Sequence, residues 1–168
     1  NEGKQLQINY TLKNTTNSPA TFSLGTAADI EIDGDDKSTI EKINNGEMIK
    51  LWTENGKTQK EVQFVFYGKN TRGVTNIDNL WIGYWSDYYL KNIFNTNTDV
   101  NKIEKYDSAF TYSWVNRTIK EGEEQNYSVI LEVGEKNAPE IEVKNNTKLH
   151  VLNAVIEGTV HDKDLKDT

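Results

Sequence analysis

The segment from Asp107 to Glu135, DSAFTYSWVNRTIKEGEEQNYSVILEVGE, constrains the fold more than any other part of the chain. Phe110, Tyr112 and Trp114 fall on alternate positions, as do Tyr127, Val129, Leu131 and Val133, the period of strands with one buried face. Glu121-Gly122-Glu123 supplies a turn between the two runs, so the segment reads as a β-hairpin. No stretch sustains a 3.6-residue period, and with six Ala and ten Leu in 168 residues strong helix formers are scarce. The expected class is all-β, an antiparallel β-sandwich.

The same alternation recurs along the chain. Leu6, Ile8, Tyr10 and Leu12 form a first strand that NTTNSP breaks. In Ala20 to Asp33, Phe22 and Leu24, then Ala28, Ile30 and Ile32, face one way around Gly25, which is expected to mark a bulge or kink. Residues 48–52, 61–68 and 79–85 read as further strands, 86–94 as a strand or one short helix, and 95–105 as a polar loop. Beyond Ala138-Pro139 a new alternation starts at Ile141 and Val143 and leads through IEGTVHDKDLKDT. Residues 1–137 are therefore expected to form one β-sandwich module and 138–168 the start of a truncated Ig-like module; the alternative is that these strands complete the first sandwich.

Two of the outward positions on the opening segment begin N-x-Ser/Thr sequons, and three more occur elsewhere: Asn9, Asn14, Asn116, Asn126 and Asn145. Twenty Asn and 24 Ser plus Thr would produce about three by chance, so placement carries more weight than number. Asn9 and Asn126 lie on the polar faces of their strands, whereas Asn14, Asn116 and Asn145 fall at expected strand ends. An N-glycosylated, secreted or cell-surface protein is the expectation. The first residues, NEGKQLQ, lack an initiator Met and an apolar leader, and read as a mature fragment or an internal piece of a longer chain.

Composition narrows the function classes. A net charge of -7 with scattered Lys and Arg disfavours nucleic acid. No run of 18 apolar residues suits a membrane helix, and zero Cys removes disulfides, thiolate catalysis and Cys-based zinc sites. Mean hydropathy is -0.75, yet 13 of 17 aromatics fall in strand-like runs, which argues for a packed core.

His150 and His161 are the only histidines, and no G-x-S-x-G, HExxH, P-loop or GxGxxG occurs. No catalytic constellation is legible, so a non-enzyme without cofactor is expected. An acidic strand face ending in a turn accounts for Asp33, Asp35 and Asp36. A weak calcium site there, or on Asp162 and Asp164 at a module junction, is the alternative, although an EF-hand would need an acidic ligand where Ile40 stands. Trp81, Tyr84 and Trp85 form the densest aromatic cluster. Core packing is its first reading, and a stacking platform for sugars the second.

Four stretches, Tyr10 to Asn14, Ser23 to Ile32, Leu80 to Tyr84 and Asp107 to Ile119, together resemble a large β-sandwich module of long repetitive surface proteins from anaerobic protists and bacteria. The resemblance spans nearly all of 8–135. It implies a supersandwich-like architecture followed by Ig-like repeats, with structural motifs and no catalytic residues to transfer. This chain has Glu-Gly where such modules commonly carry a Pro-Gly turn. The expected function is a non-enzymatic structural module of a cell-surface or extracellular filament protein, a spacer and adhesion surface whose partners are neighbouring modules or subunits. The alternative is a carbohydrate-binding module using Trp81, Tyr84 and Trp85.

Overall fold

A computed structural model describes residues 4–54, 62–87 and 89–135. Among the described residues, nine strands form two antiparallel sheets: β1 (Lys4–Lys13), β2 (Ala20–Asp29), β3 (Thr39–Ile43), β4 (Met48–Trp52), β5 (Val62–Tyr67), β6 (Asn79–Tyr84), β7 (Lys102–Ile103), β8 (Ser108–Ile119) and β9 (Glu124–Glu135). The larger sheet runs β1-β9-β5-β4-β3-β7 and the smaller β2-β8-β6. Among the described residues there is no α-helix; Trp85–Asp87 and Tyr89–Asn92 form short 3-10 turns. The all-β sandwich expected from the alternation is present. The proposed second module, with Asn145, His150, His161, Asp162 and Asp164, lies outside the described residues.

Only β3–β4 and β4–β5 are successive strands paired within one sheet; every other connection carries the chain between sheets or across the sandwich. The hairpin expected at 107–135 is thereby corrected. β8 lies at the centre of the small sheet and β9 is paired between β1 and β5 in the large one. The reason is the apolar alternation itself: the large inward faces of both strands are best buried by facing each other across the core, which a flat hairpin would leave on one side. The β1–β2 connection crosses between the sheets at the same end, and Asn14 ties the two crossings together. Its backbone N–H donates to Glu123 O at 3.0 Å and its carbonyl accepts from Gly122 N at 3.1 Å.

Two short strands escaped the periodic reading. β3 shows little alternation in its sequence TIEKI, yet Ile40 is fully buried, and Asn44, Asn45 and Gly46, all at positive φ, turn it into β4. β7 holds two residues at the sheet edge. Gly25 is not the bulge. The register shifts between Phe22 and Leu24, where Val115 and Asn116 of β8 stand opposite Ser23, and Asn116 takes φ 53°, a left-handed conformation that Asn tolerates. Gly25 is required for another reason: a Cβ there would stand 1.9 Å from Ile93 Cγ2, because the segment after β6 packs over the outside of the small sheet. That cover explains why β8 is buried on both faces from Ser108 to Trp114, with the Thr111 hydroxyl donating to Asn92 O at 2.9 Å.

The core is an aromatic spine between the sheets. Trp114 makes edge contacts with Tyr10 and Tyr112, at 5.8 and 5.7 Å between ring centres, and a tilted contact with Tyr127 at 5.3 Å. Phe66 continues the spine to Phe110 and Tyr112. Where β5 ends, Thr75 takes its place beside β9, its N–H donating to Ser128 O and its carbonyl accepting the Trp114 indole N–H at 2.9 Å.

Burial, followed by the neighbouring Tyr10, pushes the Tyr112 hydroxyl pKa upward; burial and then the Glu132 carboxylate do the same for Tyr67. Both folded-state values lie above that of a free tyrosine, about 10. Their contribution to stability is complete below that pH and is lost as pH rises through and beyond it. The urea midpoint is expected to stay flat from neutrality to about pH 9.5 and to fall steeply by about pH 11. An undiminished midpoint in strong alkali would contradict this.

Candidate functional site

Two surface regions collect the residues singled out above. The first is the outer face of β1 and β9. Their antiparallel register sets Asn9 opposite Ser128 and Thr11 opposite Asn126. The sequons Asn9-Tyr10-Thr11 and Asn126-Tyr127-Ser128 therefore lie side by side in opposite directions, each Asn across from the other's hydroxyl residue. Both Asn side chains are exposed, while the middle residues Tyr10 and Tyr127 point inward to the aromatic spine. The Thr11 hydroxyl donates to Asn126 Oδ1 at 2.6 Å. Asn116 is exposed as well, carried outward by the β8 bulge.

Asn14 departs from this pattern. Its side chain is 5% exposed, and Nδ2, the atom a glycan would occupy, donates to Ser18 O at 2.8 Å and Ile119 O at 3.0 Å. Its Oδ1 accepts from Thr16 N and from the Thr16 hydroxyl, the third residue of its own sequon. This is an Asx turn bridging the two sheet crossings, and the folded protein has no room for a sugar there. The sequence signal for such a role, an Asn-Thr-Thr turn directly after a strand, is the same string that makes a sequon.

The second region is the aromatic end of β6. Trp81 is 8% exposed and its ring lies over Gly83, where an added Cβ would meet the indole at 2.2 Å. Trp81 is thus part of the packing, its first reading, and does not present a free ring to the stacking platform carried as the alternative. Tyr84 and Trp85 are exposed, but Tyr84 meets Tyr106 edge-on at 5.0 Å and Trp85 begins the 3-10 turn, its N–H donating to Asp107 O. Trp81, Tyr84 and Trp85 thus share no common face: the strand ends at Tyr84 and Trp85 belongs to the turn that follows. A polar hollow of about 420 Å³ beside Tyr84 is lined by Asp87, Asn97, Asp99 and Lys102.

The acidic turn is engaged internally. Asp35 accepts Lys37 N–H at 2.9 Å on Oδ1 and the Thr53 hydroxyl on Oδ2, and Ile32 and Asp35 form a two-residue bridge. No cluster of three or more His, Cys, Asp or Glu able to hold a metal ion occurs among the described residues, so Asp33, Asp35 and Asp36 do not assemble the calcium site carried as an alternative.

Sequence reasoning also missed Glu132. It projects from the outer face of β9 yet is 4% exposed, accepting from Gln5 Nε2 at 2.7 Å and from the Tyr67 hydroxyl at 3.1 Å. The apolar inward run around it, Leu131 and Val133, hides any signal that its own face is covered. No described helix is long and apolar enough to cross a membrane. The chain matches no protein-family model, and a search of curated proteins likewise returned no match.

Proposed function

We propose that this chain is a structural module of a secreted or cell-surface protein, a non-enzymatic β-sandwich that carries N-linked sugar on the outer face of its large sheet and serves as spacer and contact surface for neighbouring modules. The observation that supports it most is the pairing of the Asn9 and Asn126 sequons. Two acceptor sites in register on one exposed strand pair, with their middle tyrosines anchored in the core, hold both Asn side chains outward at the same place. A glycan there would also shield β1, an edge strand whose free backbone groups otherwise invite pairing with another chain.

Glycopeptide mapping of protein from its native source, before and after glycosidase treatment, tests the reading. Sugar is expected at Asn9, Asn116 and Asn126, with Asn14 unmodified. An unmodified mass from the native source would remove the proposal's main support, and sugar on Asn14 alone would contradict the geometry behind it.

A further inference from the structure

Beyond the glycan face, the sandwich has an open side. β1 and β2 are the edge strands of their sheets, and between them the core is not closed: Ile8, Tyr10, Ala28, Phe64 and Leu131 are only half-buried. A cavity of about 300 Å³ opens there between the sheets. Its lining is mostly apolar and aromatic, with Phe64, Phe66 and Phe110 as walls. Three hydroxyls lie within this lining: Tyr10 and Tyr112 share a hydrogen bond at 2.8 Å, and Thr26 donates to Tyr10 at 3.1 Å. Where the chain leaves β2, Asp29 and Glu31 join the lining with exposed side chains, while Ile30 and Ile32 between them are buried. None of the described lining residues is basic.

We propose that this cavity binds a small apolar molecule bearing a positive charge, an aromatic or aliphatic ammonium, with its apolar body between the sheets and its cation at Asp29 and Glu31. The volume sits at the lower end of ligand pockets, enough for roughly a dozen heavy atoms. Aromatic walls attract a cation as well as an apolar body. The carboxylates decide the sign of the charge. Nearby Asp107 has its carboxyl pKa raised, by desolvation first and then by the negative charges of Asp29 and Asp36, so this end of the sandwich carries concentrated negative potential. A fatty acid or other anion would meet repulsion at the mouth.

Three probes with one skeleton separate the contributions: 4-phenylbutylammonium, 4-phenylbutanol and 4-phenylbutyrate, titrated into the full chain and followed by NMR chemical shifts. The ammonium is expected to bind about fivefold more tightly than the alcohol, the butyrate more weakly than either, and added salt to shrink the difference. Asp29→Asn with Glu31→Gln, both at exposed positions, should bring the ammonium down to the affinity of the alcohol without changing the alcohol's. Ala28→Phe, which fills the cavity, should abolish binding of both; circular dichroism establishes that this variant is folded, and the double carboxylate variant stands in if it is not. Equal affinity for the three head groups would overturn the proposal. So would the absence of saturable binding at about millimolar probe, shifts located away from Ile8, Phe64 and Leu131, or binding that tracks self-association and so places a second copy in the opening.

Discussion

Replacing Trp114 by Ala is expected to lower folding stability by about 4 kcal/mol, the usual cost of losing a buried aromatic. Trp114 is fully buried and touches Tyr10 and Tyr127 of the large sheet and Tyr112 of its own strand, so truncation opens a void at the contact between sheets. Its indole N–H is also the partner of Thr75 O, where the loop after β5 is held against β9. Trp114→Phe keeps most of the volume and loses that donor, and should cost roughly half as much. A loss so large is a substantial share of the stability of an ordinary domain. Urea unfolding measures both variants. A change below about 1 kcal/mol for Trp114→Ala would mean that the aromatic spine does not hold the sheets together.

Glu132→Ala is expected to cost about 3 kcal/mol, despite the general tendency of buried charge to weaken a fold. The carboxylate is buried with two donors aimed at one oxygen, Gln5 Nε2 from β1 and the Tyr67 hydroxyl from β5. Removing it leaves both donors without that acceptor on strands flanking β9. Tyr67→Phe instead leaves the carboxylate with one fewer donor and should cost about 2 kcal/mol. The double variant should cost less than the sum, because each change removes the same interaction. Strict additivity in a double-mutant cycle would show that Tyr67 and Glu132 do not act as a pair. One large effect arises in the apolar contact between the two sheets, the other in a polar cluster on the outer face of the large sheet.

Strands whose apolar residues alternate announced themselves, β1, β2, β8 and β9, and the apolar runs of β4, β5 and β6 were legible as strands as well. β3 and β7 were not, because their contribution to the core is Ile40 and Ile103, and one residue has no period. Partners were hidden for a different reason. Alternation reports which face of a strand is buried and nothing about its neighbour, so a turn between β8 and β9 reads as a hairpin although the strands belong to different sheets. At the candidate sites the limits were of the same kind. Asn9 and Asn126 were placed outward from their own strands, but their meeting required the pairing of β1 with β9, more than a hundred positions apart in sequence. The burial of Asn14 depended on the crossings between sheets, which no local pattern encodes, whereas core packing was already the first reading of Trp81. The cavity between β1 and β2 arises only from how the two sheets are stacked.

The antiparallel pairing of β1 with β9 has a mechanical side. Lys4, where β1 begins, is paired with Val133, two residues before β9 ends, so the outer ends of both strands lie at the same end of the sheet. A tension applied through these two ends does not shear the ten paired positions together; it peels them apart in turn, starting at Lys4 and Val133. Strands loaded in this unzipping direction resist far less than strands pulled along their length, because only the hydrogen bonds at the fork bear load at any instant. A strand pair loaded this way yields early under stretch, releasing the length of β1 while the pairing of β2 with β8 stays out of the line of load.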